Sequence, residues 1–289
     1  MTNEKAAPVL VTGATGTVGR EVVRQLIAAG IPARALVRAP DRAALAGAEL
    51  AAGDLTDPAN LAAAFDGVGA VFLVWPFERP DGVEAVLAHA GNARVVYLSV
   101  ATVDDALAEQ TDPNARLHAA VERSVRALAP RWTILRPHAF AANTLRWAEQ
   151  VRRGVVTEAY GEAAMSLIDE ADIAAVAVRA LSREGLHGRV LELTGTAPLT
   201  KRRQVRTIAE ATGHAVRFVE TSRADAAAAM LTMGWAPRIV EGILDAQHRM
   251  VTDPRPVTGT VEEVIGRPAR AFADWAAAHA AHFTPEETR

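Results

Sequence analysis

The chain has 289 residues, of which 50% are hydrophobic and 22% are charged, and its formal net charge is -3 at pH 7. This composition predicts a globular chain with a sizeable core. The slightly negative net charge provides no basic surface that would attract nucleic acid or anionic lipid. The absence of cysteine excludes disulfides, thiolate nucleophiles and cysteine-ligated metal sites. Lysine occurs only at Lys5 and Lys201, so any chemistry that needs a lysine must use one of them.

The N-terminal apolar run, residues 6–11, is broken by Pro8 and ends in a glycine-rich turn. It therefore predicts a first strand and not a secretion signal. No window approaches the ~18 to 20 consecutive apolar residues of a transmembrane helix. We expect no membrane association and a cytoplasmic location.

The first half of the chain alternates short β-branched runs with segments of helical period, a pattern typical of βαβ units on a parallel sheet. The predicted strands are residues 8–12, 33–37, 49–52, 70–74, 95–99 and 133–135. The predicted helices are residues 18–29, 58–65, 113–128 and 140–152. Because the strands are continuously apolar, helices should cover both faces of the sheet. The fold class is α/β, a Rossmann-type doubly wound parallel sheet.

After about residue 154 the strands become shorter and are predicted at residues 155–157, 166–168, 190–193 and 216–219. Helices are predicted at residues 173–181 and 201–212, followed by a mostly helical tail. No long linker separates these pieces from the first half. We expect a first domain at residues 1–154 and a smaller mixed α/β lobe at 155–289 that partly shares its sheet.

A glycine-rich loop with the spacing G-x-x-G-x-x-G joins the first predicted strand to the first predicted helix. Gly13 permits a tight turn, Gly16 lets backbone N–H groups approach a pyrophosphate, and Gly19 lets the helix pack close to the sheet. A glycine triplet alone also occurs in ordinary strand–helix turns. With a strand before it, a helix after it and further βα units behind, this loop predicts a dinucleotide site.

The residue after the second predicted strand indicates which dinucleotide binds. Proteins that bind NAD carry an Asp or Glu there for the ribose hydroxyls, whereas this chain has Arg38. A guanidinium can hold a 2′-phosphate through its bidentate fork, and an acid would repel it. A solvated surface arginine is the alternative. We expect NADP(H) in the first domain.

Several segments resemble the NmrA-like branch of the atypical short-chain dehydrogenase/reductases. They are residues 12–19 (TGATGTVG), 53–55 (GDL), 95–99 (VVYLS), 117–122 (LHAAVE), 132–137 (WTILRP), 168–174 (IDEADIA) and 193–195 (LTG). The family includes NAD(P)H-binding quinone, azo-dye and triphenylmethane-dye reductases and catalytically silent redox sensors. The C-terminal region beyond about residue 220 is variable in this family and commonly shapes the substrate pocket.

The resemblance implies roles for the residues at matching positions in the cofactor site. It places Gly13, Thr15, Gly16, Thr17 and Val18 around the pyrophosphate, Arg38 on the 2′-phosphate, Asp54 and Leu55 beside the adenine, Val74 and Trp75 over the nicotinamide ribose, and Pro137 and Phe140 beside the nicotinamide.

The Tyr-x-x-x-Lys pair that serves most of this superfamily as an acid–base pair is missing. The tyrosines are Tyr97 and Tyr160, and neither has a lysine four residues later; the matching block carries Asn114 and His118. We therefore do not expect simple alcohol dehydrogenation, which needs a strong proton acceptor. Hydride transfer to an electron-poor conjugated acceptor remains feasible, because water can deliver the proton.

Two polar residues occupy positions that the resemblance associates with catalysis. His118 would relay a proton or bind the nicotinamide ribose, with an ordinary pKa of ~6.5; the alternative is a structural histidine on a helix face. Ser99 would orient the substrate, and a strand-end turn residue is the equal alternative.

A further set of side chains is expected near the carboxyl ends of the strands, where open α/β sheets bind ligands. These substrate-pocket candidates are Phe77, His138, Asn143, Trp147 and Tyr160. They suit a flat aromatic substrate, although core packing would explain about half of such residues. The tail histidines lack an H-x-x-x-H spacing, so we expect no metal.

The predicted function is an NADPH-dependent reductase that transfers hydride to a planar conjugated acceptor such as a quinone, enone, iminium or dye. Two alternatives stay open: a non-catalytic NADP(H)-binding redox sensor, and a natural-product tailoring enzyme acting by a redox or redox-neutral step on a polycyclic aromatic metabolite. We expect a small-molecule substrate and no nucleic-acid partner, and a homo-oligomer is compatible with the sequence. The Ala- and Arg-rich composition is compatible with a bacterial source.

Overall fold

The structure, a computed structural model, describes residues 6–284 apart from the side chain of Arg42, so that Lys5 lies outside the described residues. The strands are β1 (Val9–Val11), β2 (Ala33–Val37), β3 (Glu49–Ala52), β4 (Ala70–Leu73), β5 (Arg94–Leu98), β6 (Arg131–Pro137), β7 (Val155–Glu158), β8 (Ala164–Met165), β9 (Arg189–Leu193), β10 (Leu199–Thr200) and β11 (Arg217–Glu220). The helices are α1 (Thr17–Ala28), α2 (Ala62–Phe65), α3 (Val83–Ala90), α4 (Pro113–Leu128), α5 (Ala148–Arg152), α6 (Glu170–Ser182), α7 (Lys201–Thr212), α8 (Arg223–Thr232), α9 (Pro237–Thr252), α10 (Thr260–Ile265) and α11 (Phe272–Ala278). Within residues 6–284, no helix has the length and apolar character needed to cross a membrane.

The first of two compact units comprises the residues up to Pro137 together with Glu170–Leu193 and Thr260–Arg267. Its seven strands form one parallel sheet in the order β3-β2-β1-β4-β5-β6-β9. The strand order reverses at β1, which lies between β2 and β4. Open α/β sheets bind ligands outside the carboxyl ends of the strands at such a switch point. The predicted doubly wound fold is confirmed.

Apolar side chains of the central strands form the core of this unit. Leu10, Val71, Val95 and Ile134 from neighbouring strands are buried in one cluster with residues of α2, α3 and α4. Helices α1 and α6 pack against each other, and α6 also contacts β4, β5 and β6. Each fully buried aliphatic side chain of this kind contributes about 1.5–3 kcal/mol of transfer free energy, and the central strands β1 (VLV) and β4 (AVFL) are accordingly apolar throughout.

The second compact unit comprises His138–Asp169, Thr194–Gly259 and the segment from Pro268. It contains two small sheets, a parallel pair of β7 with β11 and an antiparallel pair of β8 with β10. Trp147 and Trp275 are buried in its core with residues of α7 and α11. The predicted division at residue 154 stays a prediction. Helix α6 and strand β9 belong to the first unit, although both follow residue 154 in the chain.

Most predicted elements coincide with observed ones, and three differ. The predicted strand at 166–168 is wrong: the paired residues are Ala164–Met165, and Ile168 makes only an isolated bridge. The segments 58–65 and 140–152 each begin as a 3₁₀ helix and end as a short α-helix. Helix α3 was not predicted, although its buried residues recur at helical spacing.

Candidate functional site

The glycine loop between β1 and α1 is shaped by close backbone approach. Gly13 has a φ of +60°, a conformation that favours glycine, and its carbonyl accepts the N–H of Gly16 at 2.9 Å. A Cβ on Gly19 would lie 2.2 Å from the oxygen of Gly13. Only glycine therefore allows α1 to begin this close to the loop.

The N-terminus of α1 is suited to a bound phosphate. Gly16 is the N-cap and supplies no side-chain cap, and the first turn contains no acidic residue. The backbone N–H groups of a first helical turn lack partners within the helix and carry a partial positive charge. The uncapped turn and the glycine-lined cradle together fit a pyrophosphate.

Thr12 holds the end of β4 against this loop. Its buried hydroxyl donates to the carbonyl of Val74 at 3.0 Å and accepts the N–H of Val74 at 2.7 Å. A Cβ on Gly13 would lie 3.0 Å from the Cβ of Val74. The first residue after β4 is thus fixed beside the phosphate-binding turn, a role for Thr12 that the sequence did not reveal.

A cleft of about 740 Å³ opens beside the glycine loop, at the carboxyl ends of β1, β2 and β4. Among its lining residues are eight that the sequence predicted for the site: Gly13, Thr15, Gly16, Arg38, Asp54, Leu55, Val74 and Phe77. The residues not predicted are Ala14, Leu36, Val37, Ala39, Ala43, Gly53 and Pro76. Its volume falls within the range of about 300–1,000 Å³ that ligand sites occupy. Phe77, predicted for the substrate pocket, also lines this cleft, and its contact with a substrate stays a prediction.

Another cavity, of about 760 Å³, lies along α3 and α4 and is lined by residues such as Pro80, Glu84 and Arg123. None of the predicted site residues lines it. The glycine loop, the switch point and eight of the predicted residues meet in the cleft described above. We therefore assign the dinucleotide to that cleft.

Two groups of opposite charge line the cleft. The exposed Arg38 directly follows β2, where the sequence predicted a contact with a 2′-phosphate. The carboxylate of Asp54 accepts hydrogen bonds from the backbone N–H of Thr56 at 2.9 Å and from its hydroxyl at 2.8 Å. These bonds, with a smaller contribution from the charge of Arg38, lower the pKa of Asp54 below its ordinary value. The carboxylate of Asp54 is therefore charged at neutral pH.

Other residues predicted for the cofactor site do not line this cleft. Val18 is buried behind the loop, and the buried Trp75 donates its indole N–H to the carbonyl of Arg79 at 2.8 Å. Pro137 is buried at the end of β6. Thr17 is the exposed first residue of α1. Their cofactor contacts stay predictions.

His118 pairs with a tyrosine that the sequence had left without a role. Tyr97 is fully buried on β5, and its phenolic oxygen lies 2.6 Å from Nδ1 of His118 on α4. Burial raises the pKa of Tyr97, with a further contribution from the charge of Glu122. Burial also lowers the pKa of His118 to about 4. Both groups are therefore uncharged at neutral pH.

Ser99 belongs to a buried ionic network. Its hydroxyl donates to Glu122 at 2.6 Å, and the same carboxylate accepts two hydrogen bonds from Arg136 at 2.9 and 2.7 Å. Arg136 also pairs with Asp105. The Ser99 hydroxyl thus donates its proton to a hydrogen bond within the protein. The role of Ser99 toward a substrate stays a prediction.

The remaining predicted residues lie in the second unit and differ in exposure. Trp147 is buried and donates its indole N–H to Glu158 at 2.8 Å, whereas Asn143 is exposed. Tyr160 has a φ of 55°, which is rare for a residue with a side chain. His138 and Phe140 are both half-buried. Their assignment to a substrate pocket stays a prediction.

Lys201, the lysine in the described part of the chain, is committed to the second unit. It is fully buried, and its ammonium donates to Glu158 and Gln247 at 2.9 Å and to the carbonyl of Ala159 at 2.8 Å. Burial lowers the pKa of Lys201. Three acceptors satisfy all three ammonium donors, so Lys201 serves as a structural cation. Within residues 6–284, no group of three or more His, Asp or Glu side chains is placed to hold a metal ion.

A seven-stranded parallel sheet with a glycine-lined cleft at its switch point defines a Rossmann-type dinucleotide-binding protein. The profile of a family described as NAD(P)H-binding matches residues 13–184. The chain belongs to this NAD(P)H-binding family, and its resemblance to NmrA-like, atypical short-chain dehydrogenase/reductases is confirmed.

Full-length relatives carry reductase names. The chain is 41% identical over 285 residues to (4-alkanoyl-5-oxo-2,5-dihydrofuran-3-yl)methyl phosphate reductase of Streptomyces griseus, covering 96% of this chain and 100% of that protein. It is 36% identical to NAD(P)H azoreductase of Xenophilus azovorans, covering 95% and 99% of the two chains. The crystal structure of the NADPH-dependent quinone oxidoreductase QOR2 of Escherichia coli with NADPH is similar, with a TM-score of 0.76, 25% identity and coverage of 93% and 99%.

Proposed function

We propose that the protein is an NADPH-dependent reductase that transfers hydride to a planar, conjugated, electron-poor acceptor. The observation that carries this proposal is a glycine-lined dinucleotide cleft in a chain whose tyrosine–histidine pair has no lysine partner within residues 6–284. When bound, NADPH supplies the hydride. The chain supplies the cradle for its phosphates and places the two charges of the cleft.

The preference for NADPH rests on Arg38. Its guanidinium is exposed at the cleft and follows the strand whose end contacts the adenosine ribose in this fold. A charge-assisted hydrogen bond is worth about 1.5–3 kcal/mol, and solvent exposure places Arg38 at the lower end of this range. A preference of about tenfold over NADH is therefore expected from this one side chain.

The choice of acceptor follows from the proton chemistry. Reduction of a simple carbonyl leaves an alkoxide that needs a strong proton donor, and the Tyr97–His118 pair is uncharged and buried. A carbon–carbon double bond conjugated to two carbonyls behaves differently: hydride adds to the β-carbon, and the π electrons move onto the carbonyl oxygens as a delocalised enolate. Water is acidic enough to return a proton to the α-carbon of such an enolate.

The relatives support this class of acceptor. The substrate named for the Streptomyces griseus reductase is an unsaturated lactone whose double bond also carries an alkanoyl group. The other two names refer to azo compounds and to quinones. All three classes accept an electron pair into an extended conjugated system, so they share the feature that makes a dedicated acid–base pair dispensable.

The test is NADPH oxidation with a matched panel of acceptors. We expect turnover with an acyl-substituted unsaturated lactone, a benzoquinone or an azo dye to be at least about 100-fold faster than with a simple ketone, because a general acid typically contributes that factor to carbonyl reduction. Binding of NADPH without oxidation by any conjugated acceptor would refute the reductase. Equal affinity for NADP+ and NADPH in the same samples would also exclude the sensor alternative.

A further inference from the structure

We propose that Tyr97 is a positioning residue that fixes one tautomer of His118, with Nδ1 as the hydrogen-bond acceptor and the proton on Nε2. The proposal rests on the proposed function only where it gives this Nε2–H a role: a fixed hydrogen-bond donor toward bound cofactor or acceptor, and not a proton relay.

The geometry of Tyr97 makes it a rigid anchor. It lies on β5, which is paired with β4 on one side and β6 on the other, and its side chain is fully buried. The rings of Tyr97 and His118 are tilted by 33° with centroids 5.9 Å apart, and the phenolic oxygen lies 2.6 Å from Nδ1. A histidine held at one nitrogen by such a partner presents the other nitrogen in a fixed direction.

The charged groups nearest to His118 do not hold its proton. The groups that act on the pair are Glu122, one turn further along α4, and Asp112, the N-cap of the same helix. The carboxylate of Glu122 is already bound to Ser99 and Arg136, and Asp112 accepts the N–H of Ala115. Within residues 6–284, neither carboxylate forms a hydrogen bond with His118.

Burial favours the uncharged form of both members of the pair. It raises the pKa of Tyr97 and lowers that of His118 to about 4. If the imidazole carried its proton on Nδ1, it would donate to the phenolic oxygen and leave the buried phenol O–H without an acceptor, because within residues 6–284 Nδ1 of His118 is the hydrogen-bond partner of that oxygen. With the phenol as donor, Nδ1 accepts and the imidazole proton lies on Nε2, so both groups are satisfied. The imidazole therefore cannot release or take up a proton readily near pH 7, but it can donate a hydrogen bond.

The direct test is ¹⁵N NMR of the histidine side chains in the full chain, with and without NADPH. We expect His118 to show a protonated Nε2 and an unprotonated, hydrogen-bonded Nδ1 at every pH from 6 to 8. In Tyr97→Phe, which keeps the ring and removes the hydroxyl, the Nδ1 signal should lose its hydrogen-bonded shift. The exposed His187 serves as an internal reference that should not change. A protonated Nδ1 or an imidazolium at pH 7 in the wild type would overturn the proposal.

Activity variants test what the Nε2–H does. Glutamine places an N–H donor near the position of Nε2, whereas asparagine places one near Nδ1, so His118→Gln should retain more activity than His118→Asn. Tyr97→Phe should lower kcat/KM by roughly 3- to 10-fold, the effect of one hydrogen bond. The kcat/KM profile of the wild type should lack a step near pH 6.5. A step that disappears in His118→Gln would show a proton relay and contradict the role assigned here.

The two kinds of readout separate the proposals. If no acceptor is reduced, the reductase fails while the NMR experiment still decides the tautomer. If reduction occurs but His118 is a mixture of tautomers in the wild type, the positioning role of Tyr97 fails and the reductase stands.

Discussion

Replacing Gly19 with alanine is the smallest change that should disable the phosphate cradle. Gly19 lies in the first turn of α1, and its Cα faces the backbone of the glycine loop. A Cβ at this position would lie 2.2 Å from the oxygen of Gly13 and 2.7 Å from its carbonyl carbon. Both neighbours are backbone atoms, so no side chain can rotate away.

The size of the effect follows from these distances. A carbon atom normally approaches a carbonyl oxygen no closer than about 3.3 Å, so the helix or the loop must move by about 1 Å. Overpacking of this kind costs about 1–3 kcal/mol of stability. Since the same movement displaces the N–H groups that face the pyrophosphate, we expect the Kd for NADPH to rise at least about tenfold, equivalent to about 1.4 kcal/mol.

Calorimetric titration with NADPH and urea unfolding measure the two effects separately. Gly242→Ala is the matched control, because Gly242 lies within α9 and has no heavy atom within 4 Å of its added Cβ. That variant should bind NADPH normally and gain up to about 1 kcal/mol from helix propensity. NADPH affinity that is unchanged in Gly19→Ala would refute the close-approach reasoning.

Three further changes test other parts of the structure. Thr12→Val removes both hydrogen bonds to the backbone of Val74 and should lower the free energy of unfolding by about 1–3 kcal/mol in urea titrations; wild-type stability would contradict it. Arg38→Ala should weaken NADPH binding about tenfold and leave NADH binding unchanged, as measured by calorimetry. The control Arg131→Ala, at the amino end of β6, should change neither affinity. Equal losses of NADPH and NADH affinity in Arg38→Ala would exclude a 2′-phosphate contact. The pKa of His118 is lowered to about 4 in the folded chain, compared with ~6.5 in the unfolded chain, so its contribution to stability is complete above pH 6.5 and is lost as the pH falls toward 4. Over this interval the wild type should lose up to about 3 kcal/mol more free energy of unfolding than His118→Gln. Equal losses for the two proteins in urea unfolding would refute the burial of His118.

Local patterns account for the parts of the fold that the sequence predicted well. The bounds of β2, β3, α4 and α7 match the predictions. The two helices carry clear end signals, because Asp112 caps α4 just before Pro113 and Gly213 ends α7. Helix α3 escaped prediction because it follows Gly82, a left-handed residue without a side-chain cap. The buried spacing within α3 was nevertheless a usable signal. The strand at 166–168 failed because apolar residues in a short run do not show which of them will find a pairing partner.

The candidate site likewise combines local motifs that the sequence predicted with tertiary contacts that it did not. The glycine loop and Arg38 are local features, and the structure brings them to one cleft. The contact between Tyr97 and His118 joins a strand to a helix 21 residues later, so it depends on tertiary packing that no spacing rule contains. Ser99 likewise found its partner, Glu122, only through the fold.

Deuterium transfer tests the central claim most directly. NADPH labelled with deuterium at both positions of its hydride-donating carbon is oxidised by the wild type with an acyl-substituted unsaturated lactone in ordinary water. Our account predicts one deuterium on the β-carbon of the product, a proton from water on the α-carbon, and one NADP+ formed for each product. A product without deuterium, or label released to water, would contradict direct hydride transfer from the bound cofactor.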